Sequence, residues 1–349
     1  MGVWYCTRED VKSALDFKET ARNNGQVDRA IESASRSVEG LCRRRFYPQT
    51  TTRHFDWPNE QAARSYRLWL DPNEVITVTS LTSGGVLLDP ADYNLRRSDD
   101  LDEPPYTRIE IDLSTDASFS VGDTFQRSIA VTGLFGYRND ETLLGAATGA
   151  VDASQTAVGV DGATSAAVGV GSVLRLDDER LTVTCRSLTN TGQTLQSPMA
   201  EYDNDETVTV TDATQYTAGE VLTLDSERML VVDTAGDTLL VKRAWDGSTL
   251  AAHTGSTIYA PRTLTVTRGD LGTTPAAHDN GTTVTRWDPP GLVRQLTIAE
   301  ALNDLLQSAS GYARVVGVAE AQQEMVGRGL RDIRTRTYAA YGRTRMGAV

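Results

Sequence analysis

Two histidines occupy matching places in a repeated part of the sequence. His253 ends the stretch DTLLVKRAWDGSTLAAH, and His278 ends RTLTVTRGDLGTTPAAH 25 residues later. Imidazole is a common metal ligand and general base, so one hypothesis is a symmetric metal site. The favoured interpretation is that each histidine caps a loop in its own repeat, because no cysteine or carboxylate pattern completes a coordination shell.

Carboxylates recur at a second spacing. Asp177, Asp178 and Glu179 stand in GSVLRLDDERLTV, and Asp225 and Glu227 stand in GEVLTLDSERMLV, 48 residues later. Oxygen ligands of this kind can bind calcium, but the Gly-punctuated alternation of a calcium loop is missing. We therefore expect solvated charges at a strand edge, with the arginine that follows each glutamate either pairing with it or covering the edge.

Other familiar site chemistry has little support in the sequence. The three cysteines, Cys6, Cys42 and Cys185, are far apart and form no C-x-x-C pair. Gly84-Gly85 belongs to no phosphate-binding motif and predicts a tight turn. No catalytic, cofactor or metal site is therefore predicted, and the chain is not expected to be an enzyme.

Arginine is concentrated at two places. Arg43, Arg44 and Arg45 follow a predicted helix, where they either contact DNA phosphates or complement the helix dipole. The second place is the C-terminal tail, which lacks a continuous apolar stripe and is predicted to be extended or partly helical before assembly. Arginine and tyrosine are frequent in interfaces, and the tail carries Arg328, Arg331, Arg334, Arg336, Tyr338, Tyr341, Arg343 and Arg345.

Helical patterns lie at both ends of the chain. Thr7 and Asp10 form a capping box before the first helix, and apolar residues from Val27 to Leu41 predict a second. A third is predicted from Leu292 to Ala309. Trp4 and Tyr5 precede the first helix and either pack within the subunit or insert into a neighbouring subunit.

Between the helices the patterns predict strands. Segments between residues 54 and 135 are rich in β-branched and aromatic residues, with Gly84-Gly85 as a hairpin turn. The repeats follow in the order first half, first half, second half, second half. We interpret them as a small β unit inserted into a copy of itself, in which Gly171 to Arg186 is completed by Arg262 to Arg286.

Charge is unevenly distributed along the 349 residues, whose net charge is −13. Residues 139–285 contain 20 acidic and 8 basic side chains, and this excess would repel nucleic acid. This segment is expected to fold by itself and point away from any DNA path. No secretory signal or membrane-spanning run is present in the sequence, so a soluble, unexported protein is predicted.

These patterns predict an α+β fold with four segments. A helical hairpin (1–58) and a C-terminal helix with its tail (286–349) form a helical bundle from both chain ends. An antiparallel β module (59–138) and an inserted all-β repeat domain (139–285) lie between them. Because the terminal helices are short and one-sided, residues 1–58 and 290–326 are expected to pack together.

Three separated segments resemble the head-to-tail adaptor, or connector, family of tailed bacteriophages. They are AIESASRSVEGLCRRRFYP (Ala30 to Pro48), VITVTSLTSGGVLLDPADYNL (Val75 to Leu95) with VTGLFGYR (Val131 to Arg138), and the late amphipathic helix with its polar tail. The resemblance covers residues 7–138 and 290–345. Small adaptors lack residues 139–285, whose GTT-x-AAH pattern is similar to β repeats in phage structural proteins.

The resemblance implies a structural virion protein without cofactors, assembled in the host bacterial cytoplasm. Its copies would form a ring, usually a dodecamer, that docks under the portal through the C-terminal segment and passes double-stranded DNA non-specifically. A downstream tail-connector or stopper protein would bind next, and no membrane is involved. The main alternative is a β-repeat module that binds carbohydrate or a surface protein, and a peptidoglycan hydrolase fused to repeats is the weakest.

Overall fold

A computed structural model describes residues 2–15, 24–58, 64–97, 102–202, 204, 206–309 and 320–343, with the backbone alone for 320–328. The chain divides into two compact units. The first unit comprises Met1–Val38 and Glu141–Arg336, and the second comprises Glu39–Asp140 and Thr337–Val349. The four predicted segments are thus distributed over two units.

Five α-helices lie in the described part of the chain. They are α1 (Arg8–Leu15), α2 (Asn24–Cys42), α3 (Gly162–Ala167), α4 (Gly291–Ala309) and α5 (Glu320–Tyr341). The predicted capping box of α1 is confirmed, since the Thr7 N–H donates to Asp10 at 2.9 Å and the Asp10 N–H donates to the Thr7 hydroxyl at 3.1 Å. Each side chain thereby satisfies an orphan donor of the first turn.

The first unit is built on a ten-stranded antiparallel sheet. Nine strands follow the order β12-β15-β14-β13-β16-β11-β10-β17-β8, and β9 pairs with β16 beside this path. The strands are β8 (Glu141–Ala146), β9 (Ala157–Gly159), β10 (Val173–Leu176), β11 (Glu179–Thr194), β12 (Thr207–Thr209), β13 (Val221–Leu224), β14 (Glu227–Ala235), β15 (Thr238–Lys242), β16 (Thr257–Thr267) and β17 (Thr283–Trp287).

The strand pairing has the order that a nested duplication requires. In the outer copy, β10 and β11 form a hairpin, and Val183 faces Val266 of β16. In the inner copy, β13 and β14 form the equivalent hairpin, and Val231 faces Val241 of β15. Each copy has its own cluster of buried apolar side chains, so the repeats are two packed units within one continuous sheet.

The N-terminal segment packs into the first unit with α4. Trp4, Val11, Ile31 and Ala301 share one buried cluster with Val170 of the β region. The Trp4 indole donates to Glu32 at 2.6 Å, and Tyr5, which is fully buried, lies 6.1 Å from the ring centre of Trp287. Of the two alternatives for Trp4 and Tyr5, the structure therefore favours packing within the subunit over a subunit interface, because both side chains are buried by their own chain.

The second unit holds two smaller antiparallel sheets. One has the order β1-β7-β3-β4 and the other β2-β6-β5, and their inner faces share one buried apolar cluster. The hairpin predicted around Gly84-Gly85 is confirmed by the pairing of β3 with β4. The strands are β1 (Gln49–Phe55), β2 (Arg67–Trp69), β3 (Val75–Ser83), β4 (Val86–Leu88), β5 (Tyr93–Arg96), β6 (Arg108–Ile111) and β7 (Ile129–Phe135).

The predicted fold class is wrong. Seventeen strands in three sheets dominate the described residues, and the terminal helices do not form a helical bundle. The apolar stripe of α1, α2 and α4 is real, but its cluster is completed by Val170 from the β region. Helices α1, α2 and α4 thus bury their apolar faces partly against the β region. Most of the buried apolar residues of the chain lie in the β regions.

The C-terminal segment also differs from its prediction. The structure places Glu320–Tyr341 in the continuous helix α5, whereas an extended or partly helical tail was predicted. Ile333 and Tyr341 are half-buried and Thr337 is buried, which gives the helix one covered stripe at intervals of four residues. No helix of the described chain is both long and apolar enough to cross a membrane.

Candidate functional site

The repeated histidines and carboxylates meet in two equivalent buried clusters, which we call polar centres. The outer polar centre consists of Asp177, Glu179, Arg268 and His278. The inner polar centre consists of Asp225, Glu227, Arg243 and His253. Each centre joins residues from both halves of one repeat copy, so the duplication preserved the complete arrangement.

Glu227 is the central acceptor of the inner polar centre. Its carboxylate is fully buried and accepts two hydrogen bonds from the Arg243 guanidinium, at 3.0 and 2.7 Å. His253 Nε2 lies 2.9 Å from it, and the N–H groups of Ala244 and Ala251 each donate to it at 3.0 Å. Five contacts therefore surround this one carboxylate.

Glu179 repeats this pattern in the outer polar centre. Arg268 donates to it twice at 2.7 Å, and His278 Nε2 lies at 2.9 Å. The N–H groups of Gly269 and Ala276 donate at 2.8 and 2.9 Å. The two carboxylates thus make the same five contacts: two with an arginine, one with a histidine and two with backbone N–H groups.

The arginines connect each polar centre to distant backbone. Arg268 also donates to the carbonyls of Asp152 and Gln155, both at 2.7 Å, and to that of Ala276. Arg243 donates to the carbonyls of Ala200, Tyr202 and Ala251. A planar guanidinium can donate hydrogen bonds to a carboxylate and to several carbonyls at once. Each arginine therefore holds separate loops against its own repeat copy.

Both histidines contact carboxylates through both ring nitrogens. His253 Nδ1 lies 2.7 Å from Asp225, and His278 Nδ1 lies 2.8 Å from Asp177. Both ring nitrogens of each histidine are therefore occupied by internal carboxylates, and neither is open to a metal or substrate.

The partners of the glutamates determine their protonation. Burial alone raises the pKa of Glu179, but hydrogen bonds from Arg268, Ala276, His278 and Gly269 outweigh it and lower the pKa from 4.5 to about 2. Glu227 has the same balance of burial against four donors, and its pKa is also about 2. Both carboxylates are therefore ionised at neutral pH.

The expectation of solvated edge charge was wrong for the two glutamates. Neither pairs with the arginine that follows it: Arg180 contacts Glu141 at 3.4 Å, and Arg228 contacts Asp246 at 2.5 Å. The expectation describes Asp177 and Asp225 better, since their side chains are mostly exposed. Among the described residues, no group of three or more His, Cys, Asp or Glu side chains is arranged to hold a metal ion.

The polar centres fit a structural role better than a chemical one. A catalytic base or nucleophile needs an open path to substrate and a free lone pair. Here the histidines and glutamates are buried, and their polar atoms are committed to internal partners. We interpret both centres as internal clamps that hold the halves of each repeat together.

The three arginines after α2 separate into two environments. Arg44 lies inside the second unit, where it pairs with Glu74 at 3.2 Å and stacks 4.8 Å from the ring centre of Tyr137. Arg43 and Arg45 are exposed. Of the two alternatives, contact with DNA phosphates is therefore disfavoured for Arg44, whose charge is paired with Glu74 within the second unit.

The predicted portal-binding residues are also divided. Arg331, Arg336 and Tyr338 lie exposed on α5, as does Arg334, which pairs with Glu300 at 2.9 Å. Arg345 lies outside the described residues, and the side chain of Arg328 is not among those described.

Two residues of that predicted group are held inside the second unit. Tyr341 packs edge-on against Phe46 and Tyr137, with ring centres 5.7 and 5.5 Å away. Arg343 binds Asp71 and Glu74. The predicted interface therefore retains the exposed part of α5 and loses Tyr341 and Arg343.

An open polar cleft of about 530 Å³ lies where the inner repeat copy joins the outer copy. Hydroxyl, amide and charged side chains line it, among them Thr148, Asp161, Asn190, Gln215 and Arg262. Arg262 is already paired with Glu220 at 2.8 and 2.9 Å. The cleft thus offers both neutral hydrogen-bonding groups and apolar surface to a ligand.

Comparison of the chain with protein family models, with curated proteins and with solved structures gives no match.

Proposed function

We propose that this chain is a structural virion protein of a tailed bacteriophage, the ring subunit that joins head to tail. It docks under the portal, continues the DNA channel and connects to a downstream tail-connector or stopper protein. The subunits assemble in the host bacterial cytoplasm and then reside in the virion. Double-stranded DNA passes through without sequence-specific contacts.

The exposed basic surface of α5 carries this proposal. Arg331 and Tyr338, seven residues apart, lie on the same exposed side of the helix, where Tyr338 is 42% exposed, and Arg336 is exposed on another side. Arginine and tyrosine together are typical of protein interfaces. A long helix that exposes such a surface is suited to a partner rich in carboxylates, which is the chemistry we assign to the portal.

Two further observations support the proposal. The polar centres have the character of internal clamps, which agrees with a mechanical role. The segments that resemble the adaptor family include the helices and the β3–β4 hairpin.

Reversing the charge of Arg331 and Arg336 together, R331E/R336E, should weaken binding to purified portal protein at least about tenfold, because opposed charges then become like charges. Binding should also weaken as salt is raised. The measurement is surface plasmon resonance in the absence of DNA. Lys242→Glu is the matched control, since Lys242 is an exposed cation on β15 and its reversal should leave docking unchanged.

The variants also distinguish portal docking from DNA binding by α5. If R331E/R336E binds portal as tightly as the unchanged chain and loses only DNA binding, the docking role is wrong. Ring formation by the variant, seen in negative-stain images, would show that assembly is intact.

A β-repeat binding module is the second candidate, and the polar cleft at the repeat junction favours it. Clefts of this volume accommodate small ligands, and neutral hydroxyl and amide groups suit a carbohydrate. Negative-stain images of the protein with portal separate the candidates. Rings or discs capping the portal support the adaptor, whereas elongated monomers that bind to immobilised polysaccharide support the module.

A further inference from the structure

The four-stranded sheet of the second unit has two open edges that complement one another. β1 and β4 are its outermost strands, and each pairs with a single neighbour among the described residues. Edge strands present unpaired backbone N–H and C=O groups, and soluble proteins protect them with charges, prolines or bulges.

β1 has little of this protection, whereas β4 is protected mainly by its length of only three residues. β1 runs for seven residues, and its side chains alternate between half-buried and exposed, with Thr50, Thr52 and His54 on the open face. The Arg53 side chain turns to Asn73, at 2.6 Å, and to the ring of Phe135. On β4, Val86 and Leu87 are 60% and 66% exposed. One edge is thus long and largely uncharged, and the other is apolar.

Strand direction allows the two edges to meet. All neighbouring pairs in the order β1-β7-β3-β4 are antiparallel, so β1 and β4 run in opposite directions across the sheet. The β4 edge of one copy can therefore meet the β1 edge of the next as another antiparallel pair. The inner and outer faces of the sheet keep their orientation across the junction.

Charge favours the same arrangement. The exposed Arg43 and Arg45 stand just before β1, and the exposed Asp89 stands just after β4. In an antiparallel pair, the end of one strand lies beside the start of the other. Asp89 of one copy therefore lies near Arg45 of the next copy, where opposite charges attract.

We propose that β4 of one subunit pairs with β1 of the next, so that the sheet continues from copy to copy. This contact uses a different surface on each partner, and repeated contacts of that kind form a ring when the rotation between copies closes and an open filament when it does not. The exposed side chains of Val86 and Leu87 become covered by the neighbour. The inference rests on the ring of the proposed function, but its test needs no portal, so the two can fail separately.

Cysteine cross-linking tests the pairing directly. In a Cys185→Ser background, which removes the exposed native thiol, Thr50→Cys and Leu87→Cys are made in separate chains. Under oxidation, a mixture of the two should give a dimer on a non-reducing gel, while each variant alone should stay monomeric. A variant that cross-links with itself as well as the mixture does would show two-fold pairing and overturn the proposal.

Charge exchange provides a second measurement that does not require a disulfide to form. Asp89→Arg and Arg45→Glu should each weaken self-association at least about fivefold in sedimentation velocity, and the double variant should recover to within about twofold. Asp89→Asn serves as a control, because it can keep the cap that Asp89 provides to Ala91. A chain that stays monomeric at every concentration, or a double variant without recovery, would overturn the proposal.

Discussion

Replacing Glu227 by glutamine should lower the free energy of unfolding by about 3–5 kcal/mol, which is the usual cost of removing one partner from a buried ion pair. Arg243 is almost completely buried, and Glu227 is the carboxylate with which it pairs. An amide has nearly the same shape but no charge, and its NH₂ group would face donors. Chemical denaturation at pH 7, followed by circular dichroism, measures the loss.

The equivalent variant of the outer polar centre provides an internal check. Glu179→Gln should cost a similar amount, because Glu179 makes the same five contacts as Glu227. Arg228→Gln is the matched control: its pair with Asp246 lies at the surface, so the expected loss is about 0–1 kcal/mol. A loss below about 1 kcal/mol for Glu227→Gln would contradict the clamp interpretation.

Local signals in the sequence predicted much of the secondary structure. The capping box from Thr7 to Asp10, the hairpin at Gly84-Gly85 and the helix now seen as α4 depend on residues a few positions apart. Hydrogen bonds at such short range leave a recognisable pattern. These elements could therefore be predicted without knowledge of the tertiary fold.

The polar centres could not be predicted in the same way. Glu179 and Arg268 are 89 residues apart in the chain. The sequence alone does not show whether a glutamate is buried or exposed. One signal was available: Arg243 and Arg268 occupy the same position in the two matched stretches that end in histidine. A repeat that keeps a glutamate, an arginine and a histidine together indicates a shared cluster.

The prediction of the fold class failed because an amphipathic stripe shows that one face of a helix is buried but not which element packs against it. The apolar residues of α1, α2 and α4 predicted correctly that these faces are buried, but the cluster they enter includes Val170 from the β region. For α5, the covered stripe is interrupted by Thr337, a polar residue that is buried. A stripe search that counts only apolar residues therefore predicts a tail where a helix forms.

Acidification should remove the stabilising effect of both polar centres between pH 4.5 and pH 2. The pKa of Glu179 and that of Glu227 are about 2 in the folded chain, against 4.5 for an unperturbed glutamate. A lowered folded pKa means that the ionised carboxylate stabilises the fold, fully above pH 4.5 and progressively less as pH falls towards 2. The shift corresponds to about 3 kcal/mol for each glutamate.

Other carboxylates also titrate in this range, so the informative quantity is the difference between variant and unchanged chain. Hydrogen bonds from His253 and Ser256, for example, hold the pKa of Asp225 below its usual value. Glu227→Gln has no carboxylate at position 227, so its stability deficit should be largest at pH 7 and smaller by about 3 kcal/mol at pH 2. Denaturant titrations of both chains at pH 7, 5, 3 and 2 measure this change.

The exposed Asp178 supplies the control for this experiment. Asp178→Asn should change stability by no more than about 0.5 kcal/mol at each pH, as surface substitutions usually do. A Glu227→Gln deficit that stays constant from pH 7 to pH 2 would mean that the charge of Glu227 does not stabilise the fold. Glu227 would then contribute to stability only through packing and through hydrogen bonds that an uncharged amide can also make. The clamp would not depend on the ion pair with Arg243.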